Sequence, residues 1–167
     1  MADQVVLSLG SNLGDRAENL KTAVEMLQEQ FNTKIRKSPV YDTPPLYAYN
    51  QNNFYNCCVT FKSDLSPEKI LLKTKAVEDN MGRLRDITMG PRVIDLDILF
   101  IGNKIIAQAS LTVPHPDIQD RLFVLQPLYD ILPEFVHPTF GLTVEEMLID
   151  CPDESEIKRV RGFWKSK

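Results

Sequence analysis

The sequence predicts an α+β fold: an antiparallel sheet with helices on one face, formed by a single domain over residues 1–167. Three observations lead there. Strand-like and helix-like segments follow one another as β-α-β-β-α-β. The two helical segments open with clear capping signals, and the rest of the chain supplies an extra hairpin strand and C-terminal helices. That order is the ferredoxin-like split βαβ arrangement. A chain of 167 residues with 43% hydrophobic and 25% charged composition fits one domain with a real core.

Val5-Val6-Leu7-Ser8-Leu9 reads as a buried first strand ending at Gly10. A turn, Gly10 to Gly14, leads to Asp15, with Glu18 at capping-box spacing. Leu20, Val24, Leu27 and Phe31 then mark one helical face. Thr33 to Tyr41 reads as a second strand, and Asp42 to Asn53, with two prolines and four amides, as a long loop. Phe54 to Lys62 is a β-branched and aromatic third strand. Ser66-Pro67-Glu68 starts a helix that Ile70, Thr74, Val77 and Met81 carry to Gly82. Arg83 to Pro91 is irregular, Val93 to Ile101 is a fourth strand, and Gly102-Asn103 turns it into a short partner, Lys104 to Ile106. A helix is expected within Asp120 to Leu132, and Thr143-x-x-Glu146 opens a last one.

Composition narrows the function. A net charge of −4 argues against a general nucleic-acid or membrane binder. The basic residues are uneven: Arg83, Arg85 and Arg92 crowd one stretch, and Lys158, Arg159, Arg161, Lys165 and Lys167 crowd the tail, which points to a small anionic ligand. Cys57, Cys58 and Cys151 have no metal-ligand spacing and read as free thiols, which suits a reducing cytoplasm. There is no 18-residue apolar run and no signal-peptide pattern at the start, so a cytoplasmic, monomeric protein is expected.

The most informative segment is Gly90-Pro91-Arg92-Val93-Ile94-Asp95-Leu96-Asp97-Ile98-Leu99. On a strand, Asp95 and Asp97 share one face while Ile94, Leu96 and Ile98 enter the core. Two carboxylates that close repel, so a cation belongs on them. A hard divalent ion such as Mg²⁺ takes one or two carboxylates plus phosphate oxygens. A solvated face paired with lysines or arginines is the alternative. Arg83, Arg85 and Arg92 bracket the pair, and guanidinium forks match phosphate oxygens. Metal with arginines is the equipment of phosphoryl transfer; a helix C-terminus decorated with arginines is the other reading of Arg83. No P-loop or protein-kinase signature is present, so an ATP user must be of another kind. His115, between Pro114 and Pro116, is rigidly placed for a phosphate-facing role, whereas His137 reads as a surface loop residue.

Several further strings complete a pattern: Leu9-Gly10-Ser11-Asn12-Leu13-Gly14-Asp15-Arg16, Tyr41-x-Thr43-Pro44-Pro45-Leu46, Phe54-Tyr55-Asn56, Val113-Pro114-His115-Pro116 and Arg121-x-Phe123. With Gly82-Arg83-x-Arg85 and the Gly-Pro-Arg-x-Ile-Asp-Leu-Asp string, they resemble the 6-hydroxymethyl-7,8-dihydropterin pyrophosphokinases of folate biosynthesis, over about residues 5–140. The resemblance implies transfer of pyrophosphate from ATP to the pterin hydroxymethyl group, releasing AMP. It implies two Mg²⁺ ions on Asp95 and Asp97, with Arg83 and Arg92 completing the catalytic set. It places Lys75, Glu78, Arg85, Ile98, Thr112, His115 and Arg121 at ATP-contact positions. It places Thr43, Pro44, Pro45, Leu46, Phe54, Asn56 and Phe123 at the pterin; from the residues alone, Phe54 and Phe123 read as core aromatics, and only the resemblance reverses that. The rivals are a non-catalytic nucleotide- or pterin-binding regulator, and an RNA-binding module, which would need aromatic strands and positive balance.

This chain departs from the pattern at Thr88-Met89, where Arg-Trp is common, and at Ser110, where an arginine is common. Both changes remove positive charge from the phosphate side. The double variant Thr88→Arg, Met89→Trp should therefore bind ATP more tightly or turn over faster; steady-state kinetics showing unchanged or poorer turnover would refute this.

Overall fold

The computed structural model describes residues 1–46, 51–82 and 91–165. β1 (Asp3–Ser11) is an inner strand, paired antiparallel with β4 (Phe54–Ser63) on one side and β5 (Asp95–Ile101) on the other. β4 also pairs with β2 (Arg36–Lys37) and β3 (Val40–Thr43), and β3 pairs with β8 (Lys158–Val160). The sheet order is thus β5-β1-β4-β3-β8, which makes β5 a terminal strand.

The helices form where their caps dictate. Asp15 accepts from the Glu18 amide at 3.1 Å and starts α1 (Arg16–Phe31), which ends at Asn32 in the left-handed region. Ser66 accepts from the Lys69 amide ahead of α2 (Pro67–Asn80), with Pro67 in the first turn, where its missing N–H costs nothing. Thr143 and Glu146 exchange both bonds of a capping box at α4 (Val144–Ile149).

The strands are apolar on both faces, Val5 beside Val6 and Cys57 beside Cys58, so one helical layer cannot cover them. α1 and α2 bury Leu20, Leu27, Ile70 and Val77 against Val5, Leu7, Leu9, Val59, Leu96 and Ile98. A second core lies on the opposite face, where α3 (Leu122–Ile131) and α4 pack Val124, Leu125, Leu128 and Met147 against Val6, Cys58, Leu99 and Phe100. Helices on one face thus describes α1 and α2; the C-terminal helices cover the other. Between them the register of β1 and β5 slips: Leu7 faces Ile98 but Val6 faces Phe100. The extra residue, Leu99, is a bulge, and Leu99 and Phe100 consequently both enter the second core.

Three sequence expectations change and one strand is new; first, the expected second strand, Thr33 to Tyr41, divides into β2 and β3. The segment after Gly102 does not fold back on β5; β6 (Ile106–Ala107) pairs with β7 (Thr112–Val113) in a separate two-stranded sheet. The anchors of that sheet are Leu111 and Val113, both buried in the first core. The basic tail forms a strand, β8, because the outer edge of β3 offers it unpaired backbone. His137 is not a surface residue but only 3% exposed. Its Nδ1 accepts from the amides of Thr139 and Phe140, each at 3.2 Å, and its ring stacks on Phe140 at 4.1 Å.

Cys57 and Cys58 are fully buried, and burial pushes the Cys57 thiol up to about 12 and Cys58 well above its ordinary value. Neither is a thiolate at neutral pH, so both behave as small apolar side chains. Burial lowers the His137 pKa from 6.5. The fold binds the neutral ring, so the stability it lends is complete above 6.5 and is lost as pH falls through the lowered value. Urea unfolding from pH 8 down to about 5 should therefore show falling stability, and His137→Asn should remove part of that slope; identical slopes would contradict the assignment.

Candidate active site

The sheet register assembles the site. Asp95 lies opposite Gly10, Gly10 opposite Asn56, Asn56 opposite Tyr41, and Tyr41 opposite Arg159, so one row crosses five strands. Asp97 stands in the next row on the same face, opposite Ser8. Both aspartates are half-exposed, while Ile94, Leu96 and Ile98 are buried in the first core, as the alternation requires.

The terminal position of β5 leaves backbone groups pointing away from the sheet. Glu78, on α2 and only 3% exposed, takes one of them: its Oε2 accepts from the Leu96 amide at 2.9 Å, between the two aspartates. The amide of His115 donates to the Leu99 carbonyl at 3.0 Å, fastening the segment after the cis Val113–Pro114 bond beside the same strand. The Asp117 amide donates to His115 Nδ1 at 3.1 Å, which leaves Nε2 to carry the proton of the neutral ring. Burial first, and then Arg121, lower the His115 pKa from 6.5, against Asp117 and Asp95, which raise it. Arg121 is ion-paired with Asp117 at 3.1 Å and lies 5.8 Å from the centre of the Phe123 ring.

Asn12 ties three segments together. Its amide donates to the Arg92 carbonyl at 3.0 Å, and its Oδ1 accepts from the Arg92 amide at 2.7 Å. Its Nδ2 donates to Gln51 Oε1 at 2.9 Å and to the Asn52 carbonyl at 3.2 Å. At 1% exposure it is a fully engaged carboxamide joining the start of β5 to the stem of the loop before β4. The sequence shows it only as a turn residue in Gly10-Ser11-Asn12; nothing in a string reveals that an asparagine holds two distant backbones.

The expected pterin residues also converge. Asn56 Nδ2 donates to Thr43 Oγ1 at 2.7 Å, which fixes the carboxamide with its oxygen toward Gly10. A Cβ at Gly10 would sit 2.5 Å from Asn56 Oδ1 and 3.4 Å from Phe54 Cδ1, so only glycine fits here. Pro44 and Pro45 are half-buried beside Thr43, and Leu46 is 44% exposed. Phe54 is half-buried at the start of β4, and Phe123 lies on α3, which packs over that strand. One strand further along the same row, Tyr41 donates to Asp130 on α3, and burial together with Asp130 holds the phenol well above its usual range.

On the expected ATP side, the residues divide around the terminal strand. Ile98 is buried in the first core, Thr112 is exposed between the buried Leu111 and Val113, and Lys75 is exposed on α2 one turn before Glu78. Arg83, Arg85, Thr88, Met89 and Gly90 lie outside the described residues.

A model of the family described as 7,8-dihydro-6-hydroxymethylpterin-pyrophosphokinase matches residues 6–133. The chain belongs to that family. The 2-amino-4-hydroxy-6-hydroxymethyldihydropteridine pyrophosphokinase of Pseudomonas aeruginosa is 36% identical over 163 residues, covering 97% of this chain and 99% of that protein. The folic acid synthesis protein fol1 of Pneumocystis carinii is 39% identical over 166 residues, 99% of this chain but only 22% of that protein. The chain spans 24% of the corresponding Dictyostelium discoideum protein, so such relatives are several times longer. The HPPK-DHPS structure of Plasmodium falciparum with pteroate aligns with a TM-score of 0.72 at 18% identity, over 90% of this chain and 44% of that one, and shares the fold.

Within the family reading, Gly10→Ala should displace Asn56 and weaken binding of the family's pterin about tenfold, with a stability loss of about 1–3 kcal/mol from overpacking. Calorimetric titration with 6-hydroxymethyl-7,8-dihydropterin checks this, and unaltered affinity would remove Asn56 from the pterin contacts.

Proposed function

We propose that this chain transfers pyrophosphate from ATP to the hydroxymethyl oxygen of 6-hydroxymethyl-7,8-dihydropterin, giving AMP and the pterin diphosphate in folate biosynthesis. The observation that carries this reading is the pair Asp95 and Asp97 on one half-exposed face, with Asp95 in the same row as Gly10 and Asn56. Family membership supplies the reaction class.

The donor set fits a hard divalent ion. Among the described residues no three His, Cys, Asp or Glu side chains gather into a closed cage. Two carboxylates on one strand face suit Mg²⁺, which keeps waters and shares phosphate oxygens. Two such ions, held by Asp95 and Asp97, would neutralise the triphosphate and stabilise the attacking and leaving oxygens.

The protein's own groups do the rest. Arg92, its backbone clamped by Asn12, presents a guanidinium to the transferred phosphates, with Arg83 as the second. His115 Nε2–H and Arg121 serve the nucleotide side, with Lys75, Glu78, Arg85, Ile98 and Thr112 around it. A neutral His115 is a donor without net charge, consistent with its lowered pKa. On the other side Asn56 reads the pterin edge through Oδ1, while Phe54 and Phe123 supply aromatic faces and Thr43, Pro44, Pro45 and Leu46 line the rim. Catalysis then consists of positioning and charge neutralisation. The fold is read as ferredoxin-like with C-terminal additions, and the chain as a cytoplasmic monomer without nucleic-acid or membrane partners.

The test is AMP release from ATP and Mg²⁺, with and without 6-hydroxymethyl-7,8-dihydropterin. Wild type should release AMP only with the pterin, and Asp95→Ala and Asp97→Ala should each lose at least about 100-fold. No pterin-dependent AMP from the wild type would instead favour a non-catalytic binder.

A further inference from the structure

The C-terminal segment lies beyond residue 133, where the family match ends, yet it pairs with β3 and packs on the sheet face that carries Tyr55. β8 pairs with β3 in the register Val40 with Val160, Tyr41 with Arg159 and Asp42 with Lys158. Past it, Gly162 turns at a φ of 66°, bringing Phe163 and Trp164 back over the sheet. Trp164 Nε1 donates to the Ser38 carbonyl at 2.8 Å, and the Lys37 ammonium lies 4.9 Å from the Trp164 ring. Phe163, half-buried, meets Tyr55 edge to face at 6.1 Å and 85°.

Tyr55 links the tail to α1, because its ring is contacted from two directions. The Arg16 guanidinium lies 4.0 Å from its centre, and Arg16 Nη1 donates to the Asn53 carbonyl at 2.9 Å. Asn53 Nδ2 in turn donates to Asp42 Oδ1 at 2.9 Å, on the β3 residue that pairs with Lys158. The tail therefore reaches Asn53 by two routes, one through aromatic and cation–π contacts and one through the β3–β8 ladder. The neighbouring Gln51 and Asn52 are held from the opposite side by Asn12. Residues 51–53 lead directly into Phe54, which pairs with Thr43, so whatever fixes them fixes both stems of the loop carrying Pro44, Pro45 and Leu46.

We infer that Phe163 is a positioning residue for the pterin-side loop: the C-terminal segment is a strap that holds residues 51–53 through Tyr55 and Arg16. It touches no substrate. Phe163 packs edge to face on the ring that the Arg16 guanidinium contacts, and so fixes the ring's position under the cation. Removing Phe163 loosens Tyr55 and releases the Arg16 contact to Asn53. The ATP residues around β5 lie at the far end of the sheet and keep their places.

The kinetic arm rests on the proposed reaction; the structural arm does not. In Phe163→Ala, hydrogen exchange at residues 51–54 should accelerate about fivefold or more while the amides of Val5 to Leu9 keep wild-type rates. The KM for 6-hydroxymethyl-7,8-dihydropterin should rise about fivefold and that for ATP stay within about twofold. Phe163→Tyr, which keeps the ring, should restore both, and Arg16→Met added to Phe163→Ala should raise the pterin KM no further. Unchanged exchange at 51–54, equal acceleration in Val5 to Leu9, or a pterin KM that stays at the wild-type value would each overturn the inference. A wild type inert toward the pterin would overturn the reaction instead, while the exchange comparison, which needs no substrate, still decides whether the strap exists.

Discussion

The site depends on one constraint: the strand that carries its acids stands at the end of the sheet. A terminal strand must dispose of backbone groups that no neighbour pairs. Here Glu78 takes the Leu96 amide from the α2 side, and the His115 amide takes the Leu99 carbonyl. Each satisfies a backbone group of β5, and each is also a residue expected at the nucleotide. Finishing the edge of the sheet and furnishing the site are thus done by the same side chains. An inner strand, hydrogen-bonded on both sides, would have had no use for them.

The second organising element is the Asn12 carboxamide. A buried amide with every donor and acceptor engaged is intolerant of displacement, since each lost bond leaves a buried polar group unpaired. By spanning Arg92 and Asn52 it gives the segment before β5 and the stem before β4 a common reference point. Asn56 works in the same way at smaller scale, its orientation set by Thr43 and its freedom set by the bare backbone of Gly10.

Much of this was legible in the sequence, for identifiable reasons. Caps at Asp15, Ser66 and Thr143 are local chemistry and landed where the side chains required. The alternation around Asp95 and Asp97 is equally local, and the face assignment held. What escaped was long-range. The tail strand β8 is one lysine, one arginine and one valine, without a strand signal until β3 offers an edge. His137 looked like a loop residue because its two amide donors are created by the turn it organises. The bonds of Asn12 span some forty and eighty positions, beyond any periodicity. The second helical layer could have been suspected from Val5-Val6 and Cys57-Cys58, adjacent apolar residues that no one-sided sheet can accommodate.

The bulge at Leu99 divides β5 into two halves with separate obligations. Upstream, the face turned to α3 is acidic and open; downstream, beyond the extra residue, that same face is filled by Leu99 and Phe100. Without the added residue the two halves would share one alternation. Phe100 would then follow Ile98 directly on the face of Asp95 and Asp97, and the hydrophobic demand of the second core would be set by the same phase that exposes the aspartates. With it, the acidic end can vary its chemistry while the apolar end keeps its packing. The strand is in effect two modules on one backbone.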